Sequence, residues 1–389
     1  MVAQAEFIGM IFYYNNLIVN SLDLKIQKTL EGLFVKKIIN TNTALPVNLS
    51  LKTFLKKMRK SITLLTLLLM GALVAKAQQD PMFTKYMFNS LSFNPAYAGS
   101  RDHATINLLH RTQWWGIDGA PSTQSITAHT PLKNERVGVG MSIVNDKIGP
   151  TNGLNANVSY AYRIPVGKKG KLSIGIQGGV TNWRADWSKL NIEQSGDIPF
   201  GENVNWWKPN IGAGIYYYSK NFYTGLGVPR IIEYDLIPGR VDQLPIYAKQ
   251  VRHYFYTIGA AIPLNGNALV FKPSALVKAS APDSRFKRDS TFQAVGAPTE
   301  FNIDLSLFFQ ETLWVGTSFR SSIEVFQDKS SYDSIDLWAA YYLSSGLRIG
   351  ASYDYTLTKL QTRAQGSFEV MLGYEFDYKT KRVVTPRYF

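Results

Sequence analysis

The stretch FEVMLGYEFDY, residues 368–378, decides the fold. Phe368, Val370, Leu372, Tyr374, Phe376 and Tyr378 fall on one side of an extended chain, while Glu369, Glu375 and Asp377 fall on the other. Side chains of a strand alternate between two faces, so this period of two is strand patterning. The pattern recurs upstream. In residues 347–357, Leu347, Ile349, Ala351, Tyr353, Tyr355 and Leu357 oppose Arg348, Ser352 and Asp354. In residues 301–309, Phe301, Ile303, Leu305, Leu307 and Phe309 oppose Asn302, Asp304 and Ser306. Residues 154–164 and 172–181 behave alike, and helical periodicity is hard to find anywhere.

Alternation alone fits a soluble sandwich as well as a membrane barrel. Two features favour the barrel. The strands are long, often about ten residues, the length a tilted membrane strand needs; strands of soluble sheets usually run about five or six. The connections also sort by length. Residues 184–205, 229–250, 280–298 and 321–332 are long, whereas 219–221, 265–267, 310–311 and 344–346 are tight turns. Each long one follows an odd-numbered strand, so in an up-and-down arrangement all share one rim. Short periplasmic turns and longer outer loops are the build of outer-membrane barrels. The sequence therefore predicts an all-β fold over residues 101–378, a transmembrane antiparallel up-and-down β-barrel of about 14 strands in the cell outer membrane. Its inward face is polar, with Asn155, Arg163, Gln177, Asp304, Asp354 and Glu369, which suits both a plugged lumen and an open one.

Ahead of the barrel, residues 58–77, MRKSITLLTLLLMGALVAKA, have the layout of a secretory signal peptide. Arg59 and Lys60 open it, an apolar run from Ile62 to Val74 follows, and Ala75-Lys76-Ala77 makes a cleavage site before Gln78. Residues 1–57 fit poorly in front of such a signal and read as an upstream extension from a mis-set start. Residues 379–389 form a short C-terminal tail. The net charge of +14 is a weak nucleic-acid signal, because residues 1–77 hold ten Lys/Arg against three Asp/Glu and no basic stripe follows. Cysteine is absent, which excludes disulfides and thiolate metal sites.

No catalytic constellation stands out, and the reading is a non-enzymatic chain with no cofactor and no metal. His103, His110, His129 and His253 are scattered. His110 and His129 fall on neighbouring strands, where a hydrogen-bonded histidine is the plainer reading than a ligand pair. Gly316-Thr317-Ser318-Phe319-Arg320 lacks the second glycine of a nucleophile elbow. Trp114-Trp115 and Trp206-Trp207 border loops, as membrane anchors or as ligand contacts.

Residues 78–100 form a strap ahead of the first strand, expected to begin on the periplasmic side. Phe83, Tyr86, Met87, Phe88 and Phe93 make it too apolar for a free tail. Two readings stand: a segment packed in the lumen or against a partner, and a strap closing the periplasmic end. The candidate partner-binding residues are Phe83, Tyr86, Phe88, Asn94, Pro95 and Tyr97 of the strap and Trp187, Trp206, Trp207 and Tyr234 of the loops.

One resemblance adds to this. Gln79-Asp80-Pro81-Met82-Phe83-Thr84-Lys85-Tyr86-Met87-Phe88-Asn89 and Phe93-Asn94-Pro95-Ala96-Tyr97-Ala98-Gly99-Ser100 resemble the mature N-terminus of the PorP/SprF family. Arg111-Thr112-Gln113-Trp114-Trp115-Gly116, Asp146-Lys147-Ile148-Gly149 and the closing Pro386-Arg387-Tyr388-Phe389 continue it. The resemblance implies an outer-membrane barrel of the type IX secretion system of Bacteroidetes. It also implies a role in export or surface attachment of cargo, often an adhesin recognised through its C-terminal domain, with a tie to gliding motility. The implied partners are the type IX translocon, periplasmic secretion components and outer-membrane lipid, without nucleic acid. The alternative is a general porin or an outer-membrane enzyme.

Overall fold

Fourteen antiparallel strands close into a ring in the computed structural model. It describes residues 83–101, 103–132, 135–167, 170–189, 203–235, 249–266, 268–280, 299–324 and 329–376. The extension at 1–57, the signal segment at 58–77, residues 78–82 of the strap, the middles of the three longest loops and the tail at 379–389 lie outside them.

The first seven strands are β1 Ala104–Thr112, β2 Ser122–Pro131, β3 Val137–Ile148, β4 Thr151–Val166, β5 Gly170–Ala185, β6 Val204–Tyr218 and β7 Phe222–Val228. β8 comes in two pieces, His253–Ala260 and Ile262–Asn265, both paired with β9, Leu269–Ser280. Then follow β10 Thr299–Phe309, β11 Leu313–Glu324, β12 Lys329–Tyr342, β13 Leu347–Thr356 and β14 Ser367–Phe376. Each strand pairs with its sequence neighbour. β14 pairs with β1 from Ala104↔Phe376 to Thr112↔Phe368, which closes the ring and leaves no free edge. Among the described residues no helix is long and apolar enough to cross a membrane.

The alternation holds through the ring. On β14, Ser367, Glu369, Met371 and Gly373 are buried while Phe368, Val370, Leu372 and Tyr374 are exposed. The outward faces carry isoleucine, leucine and valine at mid-height, such as Ile176, Ile211, Leu305 and Leu337. Exposed tyrosine and tryptophan gather nearer the rims, with Tyr160, Tyr162 and Tyr341 at one and Trp207, Tyr332 and Tyr355 at the other. That is an apolar band between two aromatic girdles.

The tight turns at 219–221, 310–311 and 344–346 stand where the composition places them. One loop is shorter than expected. The sequence marks residues 321–332 as a long connection, but β11 runs on to Glu324 and β12 begins at Lys329, with a register shift at Arg320/Ser321. Serine and aspartate there suggest a loop, yet each strand supplies the other's backbone partners, and the ladder continues.

Candidate functional site

The strap lies inside the barrel. Three single-turn 3-10 helices, Tyr86–Phe88, Ser90–Ser92 and Pro95–Tyr97, fold residues 83–100 into a plug whose side chains meet the inward faces of the wall. Asn94 starts the third turn: its side chain accepts the Ala96 N–H at 3.0 Å, and Pro95 follows at the first helical position.

Its upstream end is held by charge. Glu369 on β14 accepts the backbone N–H of Thr84 at 2.8 Å on one oxygen and that of Lys85 at 2.8 Å on the other. Arg111 on β1 lies 3.3 Å from Glu369 and 2.6 Å from Asp354 on β13, and it also donates to the Thr84 hydroxyl. That hydroxyl donates to Asp354 at 2.7 Å. Lys85 reaches Asp304 on β10 at 3.6 Å and donates to Ser318 on β11 at 2.9 Å. Burial lowers the Lys85 pKa, and Asp304 opposes that shift. These strands contribute residues close to their long-loop ends, since Arg111 is one residue from the end of β1 and Glu369 is the third of β14. The first described residues of the strap thus sit in the long-loop half of the lumen. The expected start of the strap on the periplasmic side falls at residues 78–82, outside the described residues; composition marks the strap as apolar but carries no information on its direction.

The middle of the strap is aromatic. The Phe88 ring stands edge-on to Trp314 at 4.9 Å, with the Arg348 guanidinium over its other side at 4.7 Å. Phe93 stacks on Phe255 at 5.3 Å, and Tyr86 hydrogen-bonds Ser274 at 2.7 Å. The downstream end is fitted rather than charged. Gly175 on β5, Gly214 on β6 and Gly227 on β7 lie against Asn94 to Ala96 so closely that a Cβ at any of them would strike the strap. Gly138 on β3 does the same under Ala98 and Gly99. Tyr97 packs edge-on against His129 at 5.3 Å and Tyr216 at 5.4 Å, and Arg163 donates to the Gly99 carbonyl. The strap leaves the lumen at the short-turn rim, where Arg101 meets Glu375 at 2.9 Å and passes into β1. Burial works to lower the Arg101 pKa, and Glu375 outweighs it, so the guanidinium is held charged.

Between strap and wall remains a cavity of about 20 Å³ lined by Met87, Tyr97, Tyr223, Lys272 and Trp314. That is room for about one water.

Of the predicted site residues, Phe83, Tyr86, Phe88, Asn94, Pro95 and Tyr97 are all buried in the lumen against the barrel's own wall. At the long-loop rim the structure brings three of the other four together. Trp206 stacks near Trp183 at 6.1 Å and lies 6.2 Å from Tyr234, with Lys208 over both rings, and Trp187 packs against the same group. Trp207 follows Trp206 on the strand, so it points the other way, exposed on the outer wall. His110 and His129 do not approach each other: His110 faces out and His129 faces in. No group of three metal-ligating side chains forms among the described residues. Sequence reasoning missed Arg111, Arg320, which donates to the Thr84 hydroxyl at 3.0 Å, and the wall glycines. Inward parity was their only signal, and it does not say what they meet.

A model of the family described as type IX secretion system membrane protein PorP/SprF matches residues 75–374. The chain belongs to the PorP/SprF family. It is thus an outer-membrane barrel of a secretion system. No curated protein sequence matches it. Solved barrels resemble it distantly. The Acinetobacter baumannii outer membrane protein Omp33 is 10% identical with a TM-score of 0.39, over 70% of this chain and 99% of that one. A Pseudomonas aeruginosa FadL homologue is 13% identical with a TM-score of 0.40, over 74% and 94%. The deletion mutant of the TodX monoaromatic hydrocarbon channel is 9% identical with a TM-score of 0.42, over 72% and 92%. Likeness at this level carries no weight for function.

Proposed function

We propose that this PorP/SprF barrel is a non-enzymatic holder that assists export or cell-surface attachment of type IX cargo. In this reading the long-loop rim recognises the C-terminal domain of an adhesin-like protein, as in gliding motility, and the translocon and periplasmic components are met elsewhere on the barrel. The observation that carries it is the filled lumen. A barrel stoppered by its own N-terminal segment has its rims and outer wall left for partners, which favours holding over conduction. The clustered Trp187, Trp206 and Tyr234, with Trp207 beside them, supply residue types that anchor interfaces. The strap residues Phe83, Tyr86, Phe88, Asn94, Pro95 and Tyr97 act in this reading from inside, by keeping the rim in shape, and meet a partner only on leaving the lumen.

The test is surface display of a type IX cargo from cells whose barrel carries a short Gly/Ser linker in place of residues 186–203 or 229–248. Display should fall while the barrel remains inserted. Normal display after both loops and the strap are replaced by Gly/Ser would refute the holder reading.

A further inference from the structure

Almost everywhere the outer wall is apolar, as lipid contact requires, but one sector is not. β4 turns Leu154, Ala156, Val158, Tyr160, Tyr162 and Ile164 outward. β14 turns Phe368, Val370, Leu372 and Tyr374 outward. β1 offers only Ile106 and Leu108 before His110 and Thr112. β2 offers Ile126 and Ala128, with Gln124 and Ser122 above them, and β3 ends its outward row in Asn145 and Lys147. These polar groups form a ladder across three strands. Gln124 lies 3.4 Å from the His110 ring and accepts from Asn145 at 2.8 Å, while the Thr112 hydroxyl lies 3.2 Å from the other His110 nitrogen.

The depth of this ladder is fixed by its neighbour. Trp115, three residues beyond Thr112, packs edge-on against Phe368 at 5.2 Å, and Phe368 packs against Tyr353 at 5.0 Å. Those aromatics belong to the girdle at the membrane surface. Phe368 is paired with Thr112, so Thr112 is level with the girdle. His110 lies two residues nearer the midplane, about 5 Å for a strand tilted as barrel strands are. His110, Gln124 and Asn145, one rung inside that level, thus stand where hydrocarbon is expected, and lipid tails offer them nothing.

We infer that the outer wall of β1–β3 is a docking surface for a second protein embedded in the outer membrane, one that presents acidic side chains to it. The charge decides the partner. Lys147 is the charged group that faces out on these three strands, and no Asp or Glu does, because Asp146 turns inward to accept from Thr123. A second copy of the chain, meeting it through the same strands, would bring no carboxylate to Lys147. A phosphate headgroup site needs clustered cations, whereas Ser122, Gln124 and Asn145 are neutral hydrogen-bonding groups. The inference concerns the wall and does not depend on cargo recognition at the rim.

The test uses the full chain in native outer membranes with a photo-crosslinking residue at Ser122, and at Leu305 on the far side of the ring as control. The expected result is one protein adduct at Ser122 and none at Leu305, with the crosslinked peptide on an acidic surface of the partner. Lys147→Arg should keep the adduct, and Lys147→Glu should weaken it about tenfold, as charge reversal at a complementary contact does. His110→Leu combined with Asn145→Leu restores an apolar wall, leaves the barrel inserted and should abolish the adduct. Adducts only with lipopolysaccharide or with a second copy overturn the inference. So do the absence of any adduct, and an adduct that survives the two leucines in an inserted barrel.

Discussion

At its upstream end the strap hangs on ions: Glu369 holds two backbone N–H groups, and Arg111 and Asp354 hold Thr84. At its downstream end it rests on bare backbone, where Gly175, Gly214 and Gly227 make room for Asn94 to Ala96. The same segment is thus secured by two kinds of force. Buried ions hold strongly only while every partner is present, because a lone survivor keeps its desolvation cost. Close packing on glycine fails by steric intrusion instead. One end should be sensitive to loss of a side chain and the other to gain of one.

Replacing residues 83–100 by Gly/Ser removes both attachments at once and should have the largest effect. Single-channel recordings should pass from nearly silent to porin-like conductance; a silent replaced barrel would mean that something else closes the lumen. Next, Glu369→Ala should cost about 3–5 kcal/mol in thermal unfolding, the usual cost of breaking a buried pair. Limited proteolysis should then cut near Thr84 and spare Pro95 to Gly99. If both ends become equally accessible, they are not separately held. Leu372→Arg acts on the outer face of the same strand. It should cost about 2–4 kcal/mol of barrel stability if it lies at the midplane, with the strap still protected in molecules that insert. Gly227→Val should cost about 1–3 kcal/mol by overpacking and reverse the proteolysis pattern, freeing Asn94 to Ala96 while Thr84 stays protected.

The two ends also differ in how far they can be read from sequence. Glu369, Asp354 and Asp304 are legible as inward-facing, because a one-residue slip would turn them into lipid. Their grip on Thr84 and Lys85 is not legible, since those partners lie more than two hundred residues away in the chain. The wall glycines read as ordinary strand glycines, because the pattern gives no hint that another backbone passes over them. The loop aromatics show the same limit. Trp206 and Trp207 look alike in the sequence, yet adjacent strand positions send one into a cluster and the other to the outer wall.

By itself the sequence determined the all-β barrel, a strand number of about fourteen, the facing of residues in its alternating segments and the sorting of long loops to one rim. All of these are local: they follow from a period of two and from turn residues at the right spacing. Only the tertiary structure decided that the strap fills the lumen, that it runs from the long-loop half down to the short-turn rim, and that β1–β3 carry a hydrogen-bonded polar ladder at lipid depth. These depend on which strands become neighbours once the ring closes, and closure brings together residues that no local period relates.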